Sequence, residues 1–276
     1  MNMYCTKIPF FDPRAVAESG QCFRMNPCGD GFRLIAGGES LAVSSLPDGR
    51  FLFSCDASAF ARKWAPYFDL DTDYTRFQAA LAVSPDPFLR AAAEHGKGIR
   101  ILRQDPWEML ISFLISQRKS IPAIKRAIEL LCTHFGAPLP DGGFAFPSAK
   151  TLAEAPGEAL RACGLGYRTP YIAAAAQSVA AGETDLSALS ALPDEELEPA
   201  LRRLPGVGPK VAACIMLFGF HRLRAFPRDV WMNRAALLCG GDFALCGCDG
   251  FEGVVQQYIF CYARQERDFL FPGQRV

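Results

Sequence analysis

The stretch LPGVGPKVAACIMLFGFHRLRAFPRDV, residues 204–230, decides how the chain around it folds. Residues 201–204 close one helix, and Pro205-Gly206-Val207-Gly208 cannot continue it. Pro209 suits the first turn of a following helix, where a missing N–H sacrifices no hydrogen bond. The pattern predicts helix, tight hairpin, helix. Gly206 and Gly208 permit positive φ and close approach, so N–H groups of the turn and of the new helix can converge on an anion, aided by the helix dipole. A phosphodiester is the natural guest, because main-chain donors can hold one without an excess of basic side chains.

Further along, the helix from Pro209 runs to about Phe220, Pro227 ends regularity, and Asp229 stands where it would N-cap VWMNRAALLC. Lys210 therefore starts one helix and Asp229 the next, which can bring both to a common cleft. A lysine at a helix N-terminus with arginines nearby is expected to have a lowered pKa and to act as an amine nucleophile. An amine and a carboxylate together suit displacement at a sugar carbon: one attacks, the other steadies positive charge on the ring. A phosphate-binding P-loop would need a preceding strand and Gly-Lys-Ser/Thr, but here a helix precedes and Val211 follows the lysine. A plain helix-helix turn with a solvated lysine fits the hairpin taken alone.

The 276 residues are half apolar, enough for a well-buried core and one to three domains. Lys plus Arg equals Asp plus Glu at 29 each, so no global field draws the chain to nucleic acid. The basic clusters Arg118/Lys119/Lys125/Arg126, Arg202/Arg203 and Arg222/Arg224/Arg228 each read first as solvated helix faces. No apolar run is long enough to span a bilayer, and MNMYCTKIPFFDPR lacks the features of a signal peptide. A cytoplasmic protein with no membrane partner is expected, its eleven cysteines mostly buried, reduced thiols.

Residues 32–55 hold three short β-prone runs separated by GGES and PDG, which predicts an antiparallel meander. Helical spacing takes over from about residue 58, in ASAFARKWAPYF, DYTRFQAALAV, PFLRAAAEHG, DPWEMLISFLISQ, SIPAIKRAIELLCTHFG, TPYIAAAAQSVAAG and PDEELEPALRRLPG. The expected class is α+β, with a small β-rich domain over residues 1–98 and a helical domain over 99–276 made of two subdomains and the cleft between them.

LPGVGPKVAAC with FPRDV resembles the helix-hairpin-helix, Gly/Pro-rich loop and aspartate signature of a DNA glycosylase superfamily. SGQCFRM, DPWEMLISFLIS, GLGYRTPYIAAAA and VVQQYIFCYARQ, in that order, narrow the resemblance to the 8-oxoguanine DNA glycosylases across nearly the whole chain. It implies a TATA-binding-protein-like N-terminal domain and a monomeric, base-flipping enzyme that needs no cofactor or metal. Its partner would be duplex DNA containing oxidised guanine, nucleoid-associated in a bacterium. Lys210 would attack the anomeric carbon and hold the sugar as a Schiff base, so that glycosylase and lyase share one residue, and Asp229 would stabilise the oxocarbenium ion. The Gly20 carbonyl would accept the N7–H that only the oxidised base carries. Phe260 and Cys214 would sandwich the base, and Gln256 would read its Watson–Crick edge. Tyr167 would wedge into the stack, Arg168 would meet the orphaned base, and Arg118, Gly206, Val207, Gly208 and Trp231 would contact DNA. From chemistry alone, Phe260 and Cys214 read as core.

Gln117-Arg118-Lys119-Ser120 replaces the family's asparagine cluster, Ala123 replaces an arginine that reads the partner cytosine, and Trp231 replaces a phosphate-contacting histidine. Weaker cytosine preference is expected. Cys239, Cys246, Cys248 and Cys261 do not follow the iron-sulfur spacing of the endonuclease III and adenine glycosylase branches, so no cluster is expected. Lys210 argues against the alkyladenine branch, which generally lacks it. A non-catalytic hairpin module that binds DNA is the reading from another class.

Overall fold

The computed structural model describes residues 3–243, 245 and 247–271 of the chain. Five strands, β1 (Tyr4–Thr6), β2 (Met25–Cys28), β3 (Gly31–Ala36), β4 (Glu39–Ser45) and β5 (Phe51–Phe53), form one antiparallel sheet in the order β1-β5-β4-β3-β2. Gly37 and Gly38 both have positive φ, the requirement of a two-residue hairpin whose twist matches that of its strands, and they join β3 to β4 with Ala36 opposite Glu39. The meander over 32–55 holds. The sheet is wider than the three runs predicted: β1 and β2 are added at its two edges. Neither signals itself in sequence, since β1 has three residues and β2 carries Pro27, a residue that sheets tolerate at an edge. One face of the sheet packs Met25, Leu34, Leu41, Val43 and Phe53 against Phe60, Trp64 and Phe68, with Val16 and Ala17 of α1 (Pro13–Glu18).

The rest of the chain is helical and has its own core. Its principal helices are α2 (Pro87–His95), α3 (Pro106–Ser116), α4 (Ile121–Phe135), α5 (Thr169–Ala180), α6 (Asp194–Arg202), α7 (Pro209–Phe218), α8 (Val230–Leu238) and α9 (Glu252–Gln265). Starts follow the expected chemistry: Asp86, Asp105 and Asp229 cap α2, α3 and α8 with their carboxylates, and Pro stands in the first turn of α2, α3, α4, α5 and α7. A short turn of helix, Arg267–Leu270, follows α9. Among the described residues no helix is long and apolar enough to cross a membrane, and no cluster of His, Cys, Asp and Glu is placed to hold a metal ion. Of the four C-terminal cysteines weighed for a cluster, Cys246 lies outside the described residues.

Polar side chains stitch the two cores together. Asp69, buried, accepts from Thr72 Oγ1, Tyr74 Oη and Arg103 Nε at 2.9–3.0 Å, and its Oδ2 lies 3.3 Å from His221 Nε2. Burial alone would raise its pKa, but His221, Arg103 and Thr72 outweigh that and hold the carboxyl below its usual range. Arg24 donates to Glu129 at 3.1 Å and to the Phe144 carbonyl at 2.6 Å, tying the edge of the sheet to α4 and the loop beyond it.

Glu108, in the first turn of α3, is the exception to this pairing. Burial, reinforced by Asp105 and Glu129 and only partly offset by Arg24, pushes its pKa up to about 8. A carboxyl whose pKa is raised on folding binds its proton more tightly in the folded state, so its contribution is complete below the unfolded pKa and is lost as pH climbs through 8. Glu108→Gln removes that loss. Relative to wild type, the variant gains on the order of 4 kcal/mol between pH 5 and pH 9. Urea unfolding of both proteins at the two pH values measures the difference; parallel stabilities contradict it.

Candidate active site

The hairpin takes its shape from a few residues. Gly206 has φ +83°, and a Cβ there would come within 2.6 Å of the Tyr171 ring, so both backbone and packing demand glycine. Val207 is buried as the plug of the turn, and its N–H donates to the Leu204 carbonyl at 3.1 Å. Gly208 is different: its backbone is ordinary extended chain, no side chain caps α7 there, and open space surrounds its Cα. Ala212 makes the first intrahelical bond, to the Gly208 carbonyl at 2.9 Å. The N–H groups of Gly208, Lys210 and Val211 have no protein acceptor among the described residues. Three unpaired donors at the positive end of a helix, beside a glycine that leaves room for close approach, form an anion seat.

Lys210 projects from the first turn of this helix, half-buried. Its Nζ lies 5.6 Å from the centroid of the Phe113 ring, and it hydrogen-bonds Cys214, one turn further along α7. Asp229 caps α8, with its carboxylate accepting from the Met232 N–H at 2.9 Å, and lies close enough to act on the lysine's charge. Burial pushes the Lys210 ammonium down, while Cys214 and Asp229 push it back further, and the pKa ends above its ordinary value. Burial also raises the Cys214 thiol, against the pull of Lys210.

The expectation of a lowered lysine pKa is therefore corrected. Arginines that lie near the lysine in sequence are spent elsewhere: Arg222 sits 3.5 Å from Asp194 and donates to the Ser190 and Leu192 carbonyls, and Arg228 binds Asp242 at 2.6 Å. Lys210 therefore holds its proton more firmly than an ordinary lysine does.

Gly20 and Phe260 also meet. Gly20 has φ +79°, and a Cβ on it would lie 3.0 Å from the Ile121 side chain and 3.2 Å from the Phe260 ring. Gln256, one turn before Phe260 on α9, is buried with its Oε1 unpartnered. A buried amide oxygen without a donor is costly, so one facing a binding site is expected to find its partner in the ligand. Gly253 lets α9 approach α7: a Cβ there would fall 2.5 Å from Leu217. The end of the lysine helix thus meets the start of the Gln256/Phe260 helix.

Tyr167, Arg168 and the Arg118 loop gather around the turn Gly166–Arg168, and Trp231 lies elsewhere. Tyr167 is half exposed, and its ring packs edge-on to Tyr171 at 6.4 Å, the residue that abuts Gly206. Arg168 is buried, its guanidinium 4.3 Å from the Tyr167 ring and bonded to the Gln117 and Leu165 carbonyls. Arg118 is exposed with φ +51°, a strained conformation for a side-chain-bearing residue, and Lys119 anchors its loop through the Gly164 carbonyl at 2.9 Å. Lys125, from the same basic cluster, points inward to the Ala17 and Met25 carbonyls. Trp231 is half-buried between Phe271 and Arg234. Phe113, under the lysine, was not singled out in sequence, because inside ISFLIS it is indistinguishable from core.

Residues 4–110 match the N-terminal domain family of 8-oxoguanine DNA glycosylase, and residues 111–242 match the HhH-GPD superfamily of base excision DNA repair proteins. The chain is 40% identical over 156 residues to the N-glycosylase/DNA lyase OGG1 of Arabidopsis thaliana, covering 53% of this chain and 42% of that protein. It is 34% identical over 186 residues to the N-glycosylase/DNA lyase of Saccharomyces cerevisiae, covering 62% and 49%. The matched segments thus span about half the length of these curated relatives. The solved Clostridium acetobutylicum 8-oxoguanine glycosylase/lyase, in complex with duplex DNA carrying cytosine opposite 8-oxoguanine, is 31% identical with a TM-score of 0.87, covering 97% of this chain and 99% of that one. With the hairpin, the lysine and the aspartate in one constellation, and the likeness running the full length of a solved relative, the chain belongs to the 8-oxoguanine DNA glycosylase family of the helix-hairpin-helix superfamily.

Proposed function

We propose that the protein is a bifunctional DNA glycosylase and AP lyase that excises 8-oxoguanine from duplex DNA in base excision repair. The observation that carries this reading is that Lys210, in the first turn of one helix, lies beside Cys214 and within electrostatic reach of Asp229, the cap of the next helix. The turn of Gly206, Val207 and Gly208 presents the seat, made by the N–H groups of Gly208, Lys210 and Val211, to a backbone phosphate; Arg118 and Trp231 add backbone contacts, and Tyr167 fills the gap left when the damaged nucleotide swings out. Flipping costs a few kcal/mol, which backbone binding and the pocket together supply. Arg168 lies toward the orphaned base. The enzyme acts as a monomer without cofactor, in the cytoplasm, on the nucleoid in a bacterium.

In the pocket, Phe260 and Cys214 flank the base and the Gln256 oxygen accepts from its Watson–Crick edge. The Gly20 carbonyl accepts the N7–H of 8-oxoguanine. Guanine has a lone pair at N7, so the same carbonyl repels it, and discrimination exceeds the roughly tenfold that one hydrogen bond provides. Once its proton has passed to Asp229, the Lys210 amine attacks C1′, the C1′–N9 bond breaks, and its electron pair leaves with the base, which gains a proton. Asp229 passes the proton it took from the lysine on to the departing base, and its regenerated carboxylate steadies the cationic sugar. Loss of the second amine proton and opening of the ring give the Schiff base, removal of a C2′ proton expels the 3′ phosphate, and the strand is cut.

Ala123 offers no donor to the partner base, and the Arg168 guanidinium is already engaged with main-chain carbonyls. Cytosine preference is accordingly weak. Excision of 8-oxoguanine opposite each of the four bases, with guanine and 3-methyladenine duplexes in parallel, is expected to show 8-oxoguanine release that varies by less than about tenfold with the partner. A strict cytosine requirement contradicts the selectivity, and release of 3-methyladenine in place of 8-oxoguanine contradicts the substrate.

A further inference from the structure

Along residues 16–21, every carbonyl but one is taken by a protein donor. The Val16 carbonyl accepts from Ser19 Oγ at 2.7 Å, Ala17 from Lys125 Nζ at 3.3 Å, Glu18 from Arg264 at 2.6 Å, Ser19 from Gln257 Nε2 at 2.9 Å, and Gln21 from Gln104 Nε2 at 2.8 Å. Among the described residues only the Gly20 carbonyl in this run has no donor. The Gln21 side chain clamps the following residue as well, accepting from the Leu102 N–H at 2.8 Å and donating to the Arg100 carbonyl at 2.9 Å.

A glycine with positive φ has two soft dihedrals and would let its carbonyl swing. Direction is restored only if the peptide units on both sides are held. Gln21 and Gln104 hold the far side, and Gln257 holds the near side, the Ser19–Gly20 peptide. The side chain of Gln257 is otherwise hard to explain. It is buried on α9 and its Oε1 has no partner, so the amide carries a desolvation cost that an apolar residue at that position would avoid. Its donor to the Ser19 carbonyl is what offsets that cost.

We propose that Gln257 is a positioning residue for base recognition: by clamping the Ser19 carbonyl from α9, it aims the free Gly20 carbonyl at the N7–H of the oxidised base. The proposal rests on the reading of Gly20 as the contact to that base. Gln257 touches neither substrate nor the reacting atoms, and its effect passes through the backbone it holds.

The test uses the full-length chain carrying Lys210→Gln, so that substrates stay intact, and measures affinity for three duplexes that place 8-oxoguanine, guanine or a tetrahydrofuran abasic analogue opposite cytosine. Adding Gln257→Met lowers affinity for the 8-oxoguanine duplex about tenfold, the worth of one well-aimed hydrogen bond. It leaves the abasic-analogue duplex, which has no base to read, unchanged. Gln257→Asn, whose shorter amide falls short of Ser19, gives the same pattern. An equal fall on all three duplexes, or no fall on any, overturns the positioning role. If Lys210→Gln alone shows no preference for 8-oxoguanine over guanine, the reading of the pocket itself fails.

Discussion

Lys210→Gln abolishes base release and strand cleavage together, each by about a thousandfold or more, while affinity for a lesion-bearing duplex stays within about threefold of wild type. The joint loss follows from one amine serving both steps, as nucleophile at C1′ and as the nitrogen of the Schiff base. Retained binding follows from the anion seat, which is made by the main-chain N–H groups of Gly208, Lys210 and Val211 and survives a change of side chain. Folding is not at risk, because glutamine keeps a polar end able to hydrogen-bond at a half-buried site. The wild-type enzyme carries a further signature. Its lysine pKa is raised, so the free amine is scarce at neutral pH, and single-turnover excision rises with pH toward the alkaline side. A rate that is flat from pH 6 to 9 would mean that deprotonation of Lys210 does not limit the reaction.

Asp229→Asn slows base release by about a hundred- to a thousandfold, the usual loss when a charge aimed at a developing cation is removed. Asparagine still caps α8 through its amide oxygen, so the Met232 N–H keeps its partner and stability changes little. The carboxylate is also one of the groups that raises the lysine pKa, and its removal moves the rising limb of the pH profile to lower pH. Cleavage at a preformed abasic site, where no glycosidic bond has to ionise, suffers less than excision. Single-turnover assays on 8-oxoguanine and abasic duplexes across pH separate these effects. Equal losses on both substrates would show that Asp229 does not act on the ionising glycosidic bond.

What was legible in the sequence is what local chemistry controls. Pro205, Gly206 and Pro209 announce the hairpin, and Asp229 announces the next helix, because turns and caps are decided within a few residues. GGES between β-prone runs announces the β3–β4 hairpin for the same reason. β1 and β2 escaped because edge strands need little pattern of their own, and Pro27 disguises one of them. The lysine's electrostatics escaped because Arg222 and Arg228 are near it in the chain but paired with Asp194 and Asp242 in space. Gln257 escaped most completely. Its partner, Ser19, lies 238 residues away, and a glutamine on a buried helix face carries no local sign that a carbonyl near the N-terminus will need a donor.

Several of these features converge on one covalent event, an imine between Lys210 and C1′ of a sugar that has lost 8-oxoguanine. Borohydride reduction during reaction with an 8-oxoguanine duplex traps that species. A single protein–DNA adduct whose linkage maps to Lys210 by mass spectrometry, and which is absent in Lys210→Gln, is the expected result; no adduct with the wild-type protein, or an undiminished one in the variant, would contradict it.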